Sequence, residues 1–198
     1  MNKSISKKEI INEIELILDK TFLINVSIAF YKQLKSIKFE EPSKYKICEN
    51  FFNSTSVAYD YLICCELPKF FNKNEQRGSI YRIIQLCKDY SNQLSVYCGE
   101  KKSLENLLKS IEEKLNQINV SDLKEYRDKY LAHSDKKYFY NQQHLIDNHS
   151  FDLDGFNELN KTAIDILTKI YSQISGETHI FAPNMCFNYD LSKITDRL

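Results

Sequence analysis

The sequence predicts an all-α fold, an antiparallel up-and-down helical bundle, on three observations. Apolar residues recur at spacings of three and four over several long stretches, and no convincing alternating set marks a strand. Only 4 Gly and 3 Pro punctuate 198 residues, which favours long helices with few tight turns. Ser6, Ser79 and Ser121 each stand where a helix N-cap is wanted.

The elements follow in order. Ser6-Lys7-Lys8-Glu9 has the form of a capping box, and Ile10, Ile14, Ile17 and Leu18 then recur at helical spacing. The pattern continues through Phe22, Val26, Ala29, Phe30 and Leu34, and Pro42 marks its end. A second helix is expected from about Ser43 to Glu66, ended by Pro68 and the polar segment 72–78. Ser79 caps a third over Ile80 to Cys87. Gly99 separates it from a charged amphipathic helix, about Ser103 to Ile118, carrying Leu104, Leu107, Leu108, Ile111 and Leu115. Ser121 opens a helix bearing Arg127 and His133, and 136–150 reads as a loop. A last helix, Asp152 to Ser175, places Phe156, Leu159, Ala163, Ile166, Leu167 and Ile170 on one face, with Gly176 as its C′ residue. The expected division is a bundle over residues 1–176 and a tail over 177–198 that packs on or extends it.

Composition narrows the function. A hydrophobic fraction of 42% with 13% aromatic residues excludes a disordered chain. The formal net charge is zero, so any nucleic-acid contact must come from a local patch. The first residues lack the apolar core of a signal peptide. The apolar-leaning run Thr21 to Tyr31 is too short to span a membrane, which takes about 20 residues. A cytoplasmic location without membrane contact is expected. Six cysteines, at 48, 64, 65, 87, 98 and 186, form no C-x-x-C and read as small core hydrophobes. His144 and His149 lack a second ligand pair, so no metal site and no cofactor is expected.

Chemistry concentrates in Leu123 to Asp135. The only arginines are Arg77, Arg82, Arg127 and Arg197, and there are 4 histidines. Arg127 and His133 stand six residues apart, about 120° apart around an ideal helix. They can converge on one groove if His133 sits at a frayed C-terminal turn, and two copies facing across a dimer axis would help. A permanent cation beside a group that titrates near neutrality suits phosphodiester cleavage: His133 would move protons and Arg127 would grip the phosphate. Spacing alone is weak, since such a pair arises by chance in roughly one such chain in four. Histidine near a helix C-terminus is also favoured by the dipole.

The stretch Arg127-Asp128-Lys129-Tyr130-Leu131-Ala132-His133-Ser134-Asp135 resembles the R-D-K-x-x-A-H-x-D signature of the HEPN superfamily, in particular its AbiU-like abortive-infection branch. Leu67 to Asn72 followed by Ser79 to Ile84 is similar to that branch's second helix end and third helix start. The resemblance covers roughly residues 7 to 175. It implies an antiparallel helical bundle, a homodimer formed through the Arg127–His133 helix, and a metal-independent endoribonuclease in toxin–antitoxin, phage-defence or RNA-processing roles. It implies RNA as substrate and an antitoxin or defence-system partner. On that carry-over Arg127 and His133 are catalytic, with Asp128 supporting. Ser134, Asp135 and Tyr130 are expected to support them as well, and Lys124, Lys129 and Lys136 are candidate RNA contacts. A related branch ends its motif His-x-Tyr, where a nucleotidyltransferase antitoxin modifies the tyrosine. Asp135 stands at that position here, so this regulation is not expected.

A second functional class fits the residues as well: a non-catalytic helical module that binds RNA or a protein. Lys32, Lys35, Lys38, Lys44 and Lys46 form a lysine-rich stretch that would be either its track or a solvated face. A bundle enzyme with a metal or nucleotide cofactor finds no carboxylate-x-x-His motif and no Gly-rich phosphate loop.

Overall fold

A computed structural model describes residues 6–74, 77–94, 101–121 and 153–177 of the chain. Every regular element among them is a helix: α1 Lys7–Glu40, α2 Pro42–Ile47, α3 Glu49–Phe70, α4 Ile80–Asp89, α5 Ser91–Leu94, α6 Lys101–Asn116 and α7 Leu153–Ser175. The all-α expectation is met.

The 34 residues of α1 make it the axis of the bundle, about 50 Å long. It starts where the sequence signals. Ser6 accepts from the Glu9 backbone N–H, and the Glu9 carboxylate accepts from the Ser6 N–H at 2.6 Å. Two free amide donors are thereby satisfied. Ile10, Ile14, Ile17, Leu18, Ile24 and Ile28 then form a buried stripe at helical spacing.

Two helices run antiparallel to α1, and side-chain links fix their registers. Along α3, Lys20 pairs with Glu66 at 3.3 Å and Phe30 stacks on Tyr59 at 5.8 Å. Along α7, Lys32 pairs with Asp154 at 2.6 Å, Asn160 bonds the Thr21 carbonyl at 3.0 Å, and Tyr171 reaches Glu15 at 3.4 Å. A third antiparallel pair is α6 with α7, joined by Lys114–Asp165 and Gln173–Ser103. The charged links are exposed, worth about 0–1 kcal/mol each. They record the register; burial of the apolar faces holds it. One core contains Ile14, Ile63, Phe70, Ile83, Leu104, Leu108 and Ile170, contributed by five helices. A second, smaller core at the far end of α1 holds Leu34, Ile37, Tyr45 and Phe52.

The expected second helix is two helices. The chain leaves helical geometry at Cys48 (φ −126°, ψ 35°), between α2 and α3. Tyr45 and Phe52 on either side of the break stack at 5.3 Å, so the interruption brings both rings into the second core. Pro68 also does not end α3. It sits in the last turn, where the lost N–H costs one bond, and it is buried with Leu67 and Phe70.

Other boundaries agree with the sequence. Ser79 Oγ accepts from the Tyr81 N–H at 3.2 Å and caps α4. Gly176 closes α7 with φ +77°, its N–H donating to the Ser172 carbonyl at 3.0 Å. Cys64 and Cys87 are buried free thiols in the main core, as expected of small hydrophobes, and Cys48 and Cys65 are free and partly buried. Cys98 and Cys186 lie outside the described residues, as do His144, His149, Gly99 and the tail after Glu177. Among the described residues no helix is long and apolar enough to cross a membrane.

Candidate functional site

Lys124, Arg127, Asp128, Lys129, Tyr130, His133, Ser134, Asp135 and Lys136 all lie outside the described residues, as do the helix and the 136–150 loop expected around them. The structure fixes the two helices that bracket them in sequence. On the N-terminal side, Leu104, Leu108, Ile111 and Leu115 of α6 are buried. Beyond α6, Ile118 and Val120 still pack against the core, and the Asn119 side chain accepts from the Ser121 N–H at 2.9 Å. On the C-terminal side, Leu153 and Phe156 are buried from the first turn of α7.

The register relates these two ends. Lys114 meets Asp165, so the end of α6 at Asn116 lies level with about residue 163 of α7. Leu153 is ten residues further along, or about 15 Å at 1.5 Å per residue. The segment carrying the arginine–histidine motif therefore leaves and rejoins two helices that are packed on each other. The Asn160–Thr21 bond and the Lys32–Asp154 pair tie its C-terminal anchor to α1. That Lys32 bond and charge hold the Asp154 carboxyl below its ordinary range.

The lysine-rich stretch is largely occupied within the chain. Lys32 is on Asp154, Lys44 is on Glu41 at 2.6 Å, and the ammonium groups of Lys35 and Lys38 lie over the rings of Tyr31 and Tyr45 at 5.1 and 5.5 Å. Four of the five lysines thus have partners of their own, which favours a solvated, internally paired face over an open phosphate track.

Two constellations escaped the sequence reading. On α1 and α3, Asp60 sits beside Tyr31, Lys35 and Cys64. Burial pushes its carboxyl up to about 7, against a hydrogen bond from Tyr31 and the Lys35 charge, both of which favour ionisation. Its Oδ1 is buried with no hydrogen-bond partner among the described residues. Burial, then the Asp60 charge, raises both the Tyr31 hydroxyl and the Cys64 thiol. An acid standing four residues before Cys64 in an otherwise apolar run was the available signal. The second constellation is a groove of about 600 Å³ between α1 and the start of α4, where Lys20, Arg77 and Arg82 converge with Glu9 and Glu13. The scarcity of arginine was the signal available for Arg77 and Arg82, but only tertiary structure brings them to Lys20.

Comparison with curated proteins and with solved structures gave no match. The family model described as AbiU2, a HEPN grouping, matches residues 7–184. That span takes in every described helix and the whole Arg127–Asp135 stretch. The chain belongs to the AbiU2 family of the HEPN superfamily.

Proposed function

We propose that this protein is a metal-independent endoribonuclease of the toxin–antitoxin or phage-defence type, acting as a homodimer through the Arg127–His133 segment. The observation that carries the reading is that motif, read as Arg127-Asp128 and then Ala132-His133 inside a chain of the AbiU2 family. The two core-anchored helices that bracket the motif suit a site needing fixed geometry.

The chemistry follows from the residue types. His133 as neutral imidazole accepts the proton of a ribose 2′-hydroxyl, whose oxygen attacks the adjacent phosphorus. Arg127 sets its planar fork of donors on the non-bridging oxygens, where charge builds in the phosphorane. The P–O5′ bond breaks and the 5′-oxygen takes up a proton from an imidazolium. In a symmetric dimer the partner's copy of the same histidine is placed to supply it. The products are a 2′,3′-cyclic phosphate and a 5′-hydroxyl. Asp128 and Asp135 orient the two catalytic side chains, Tyr130 and Ser134 support the segment, and Lys124, Lys129 and Lys136 contact flanking phosphates. A defence-system partner or antitoxin would restrain the activity.

End-group mapping of the cleaved RNA tests this route. Fragments ending in 2′,3′-cyclic phosphate or 3′-phosphate are expected. Fragments carrying 5′-phosphate and 3′-hydroxyl ends would require an attacking water and would overturn the assignment.

A further inference from the structure

The groove between α1 and α4 holds hydrogen-bond donors in surplus. Its two carboxylates are engaged: Glu13 by Arg82 Nε at 2.9 Å, and Glu9 by the Ser6 N–H and hydroxyl at 2.6 and 3.1 Å. A guanidinium carries five N–H donors. Arg82 commits its Nε donor to Glu13, which holds the fork in place, and among the described residues the other four donors are left over. Arg77 is exposed and makes no hydrogen bond or ion pair among the described residues. Lys20 reaches Glu66 only at 3.3 Å and is half exposed. Gly78, which also lines the groove, directly precedes the N-cap of the ten-residue α4, so the positive end of that helix lies at the same place. One wall is apolar: Leu16 is 64% exposed above the buried Ile17.

We propose that this groove binds a nucleotide. Arg77, Arg82 and Lys20 take the phosphate, as forked and point cations take an oxyanion. The base lies against Leu16, with the Asn12 amide offering a donor and an acceptor to its edge. The volume falls within the roughly 300–1,000 Å³ of small-molecule sites. The ligand is either a free mononucleotide or the 5′-phosphorylated end of an RNA strand, which present the same chemistry. No groove residue belongs to the 127–135 motif, so this site stands or falls separately from the ribonuclease reading.

The test is calorimetric titration of the full chain, at low salt, with the four nucleoside 5′-monophosphates, adenosine and inorganic phosphate. It is repeated with 2′-O-methyl oligonucleotides bearing a 5′-phosphate or a 5′-hydroxyl, which 2′-hydroxyl chemistry cannot cut. At least one monophosphate or the 5′-phosphorylated oligonucleotide is expected to bind. Adenosine, phosphate and the 5′-hydroxyl strand should be weaker by roughly tenfold or more, the loss expected for one charge-assisted contact. Arg77→Ala should weaken binding by a similar factor without changing the circular dichroism or melting, since Arg77 supports no described contact. Leu16→Glu, also at an exposed position, should abolish it independently. Preference for the strand assigns an RNA end, and preference for the monomer assigns a free nucleotide. Absence of binding, undiminished binding by both variants, or inorganic phosphate binding as well as the nucleotides would overturn the proposal.

Discussion

Asn160 donates from Nδ2 to the backbone carbonyl of Thr21 at 3.0 Å, across 139 residues of sequence, with both residues fully buried. The bond locks the helix that follows the Arg127–His133 motif in sequence onto the axis of the bundle. Thr21 turns its own hydroxyl back to the Leu18 carbonyl at 2.7 Å, so the polar atoms on the α1 side are satisfied. Asn160 Oδ1 is not. Asn160→Ala should therefore destabilise the fold by about 1–3 kcal/mol, combining a lost buried hydrogen bond with a small void and less the relief of one orphan acceptor. Urea unfolding reads this as a lowered midpoint at unchanged slope. An unchanged midpoint would mean that the link contributes nothing.

Asp60 makes stability depend on pH with a definite sign. Its folded pKa of about 7 lies above the ordinary carboxyl value of 3.8. Between those values the folded state holds a proton that the unfolded state has released, so stability is greatest below about pH 4 and falls as pH rises toward 7. Asp60→Asn, which keeps the shape and removes the ionisation, should flatten this component and raise stability at pH 8 by roughly 1–3 kcal/mol. Thermal melts of both proteins from pH 4 to 8 compare the slopes. Parallel curves would show that Asp60 is ionised in the folded protein across the range.

Gly176 holds φ +77° with open space where a Cβ would stand. Backbone strain alone is then the cost of a side chain. Gly176→Ala should destabilise by about 1 kcal/mol, and Gly176→Asn by less, because Asn tolerates the left-handed region. Equal stability of Ala, Asn and Gly in a denaturant series would show that the α7 terminus does not require that conformation.

These tests bear on how much was legible in the residues. The Ser6–Glu9 box, the Ser79 cap and the Gly176 terminus could be read because each is a side-chain-to-backbone or φ preference acting within four residues. The break at Cys48 could not, since no glycine or proline marks it and its reason is the stacking of Tyr45 on Phe52 in a separate core. Pro68 misled because a proline in the last turn loses little, and its burial beside Leu67 and Phe70 compensates. The stretch Arg127–Asp135 was readable only as a motif, in the identities and spacing of its residues. The groove was hidden for the opposite reason. Glu13 and Arg82 are 69 residues apart, and no local pattern announces that α1 and α4 meet.

The measurement that tests the central claim most directly is a cleavage assay on mixed cellular RNA in excess EDTA, with the wild-type chain beside His133→Ala. The account predicts cutting by the wild type and a loss of at least about 100-fold in the variant, the scale of general acid–base catalysis, with the variant still folded and dimeric. Undiminished cutting by His133→Ala would remove the histidine from the chemistry. Intact RNA with both proteins would contradict the ribonuclease reading and favour a helical module that binds without cutting.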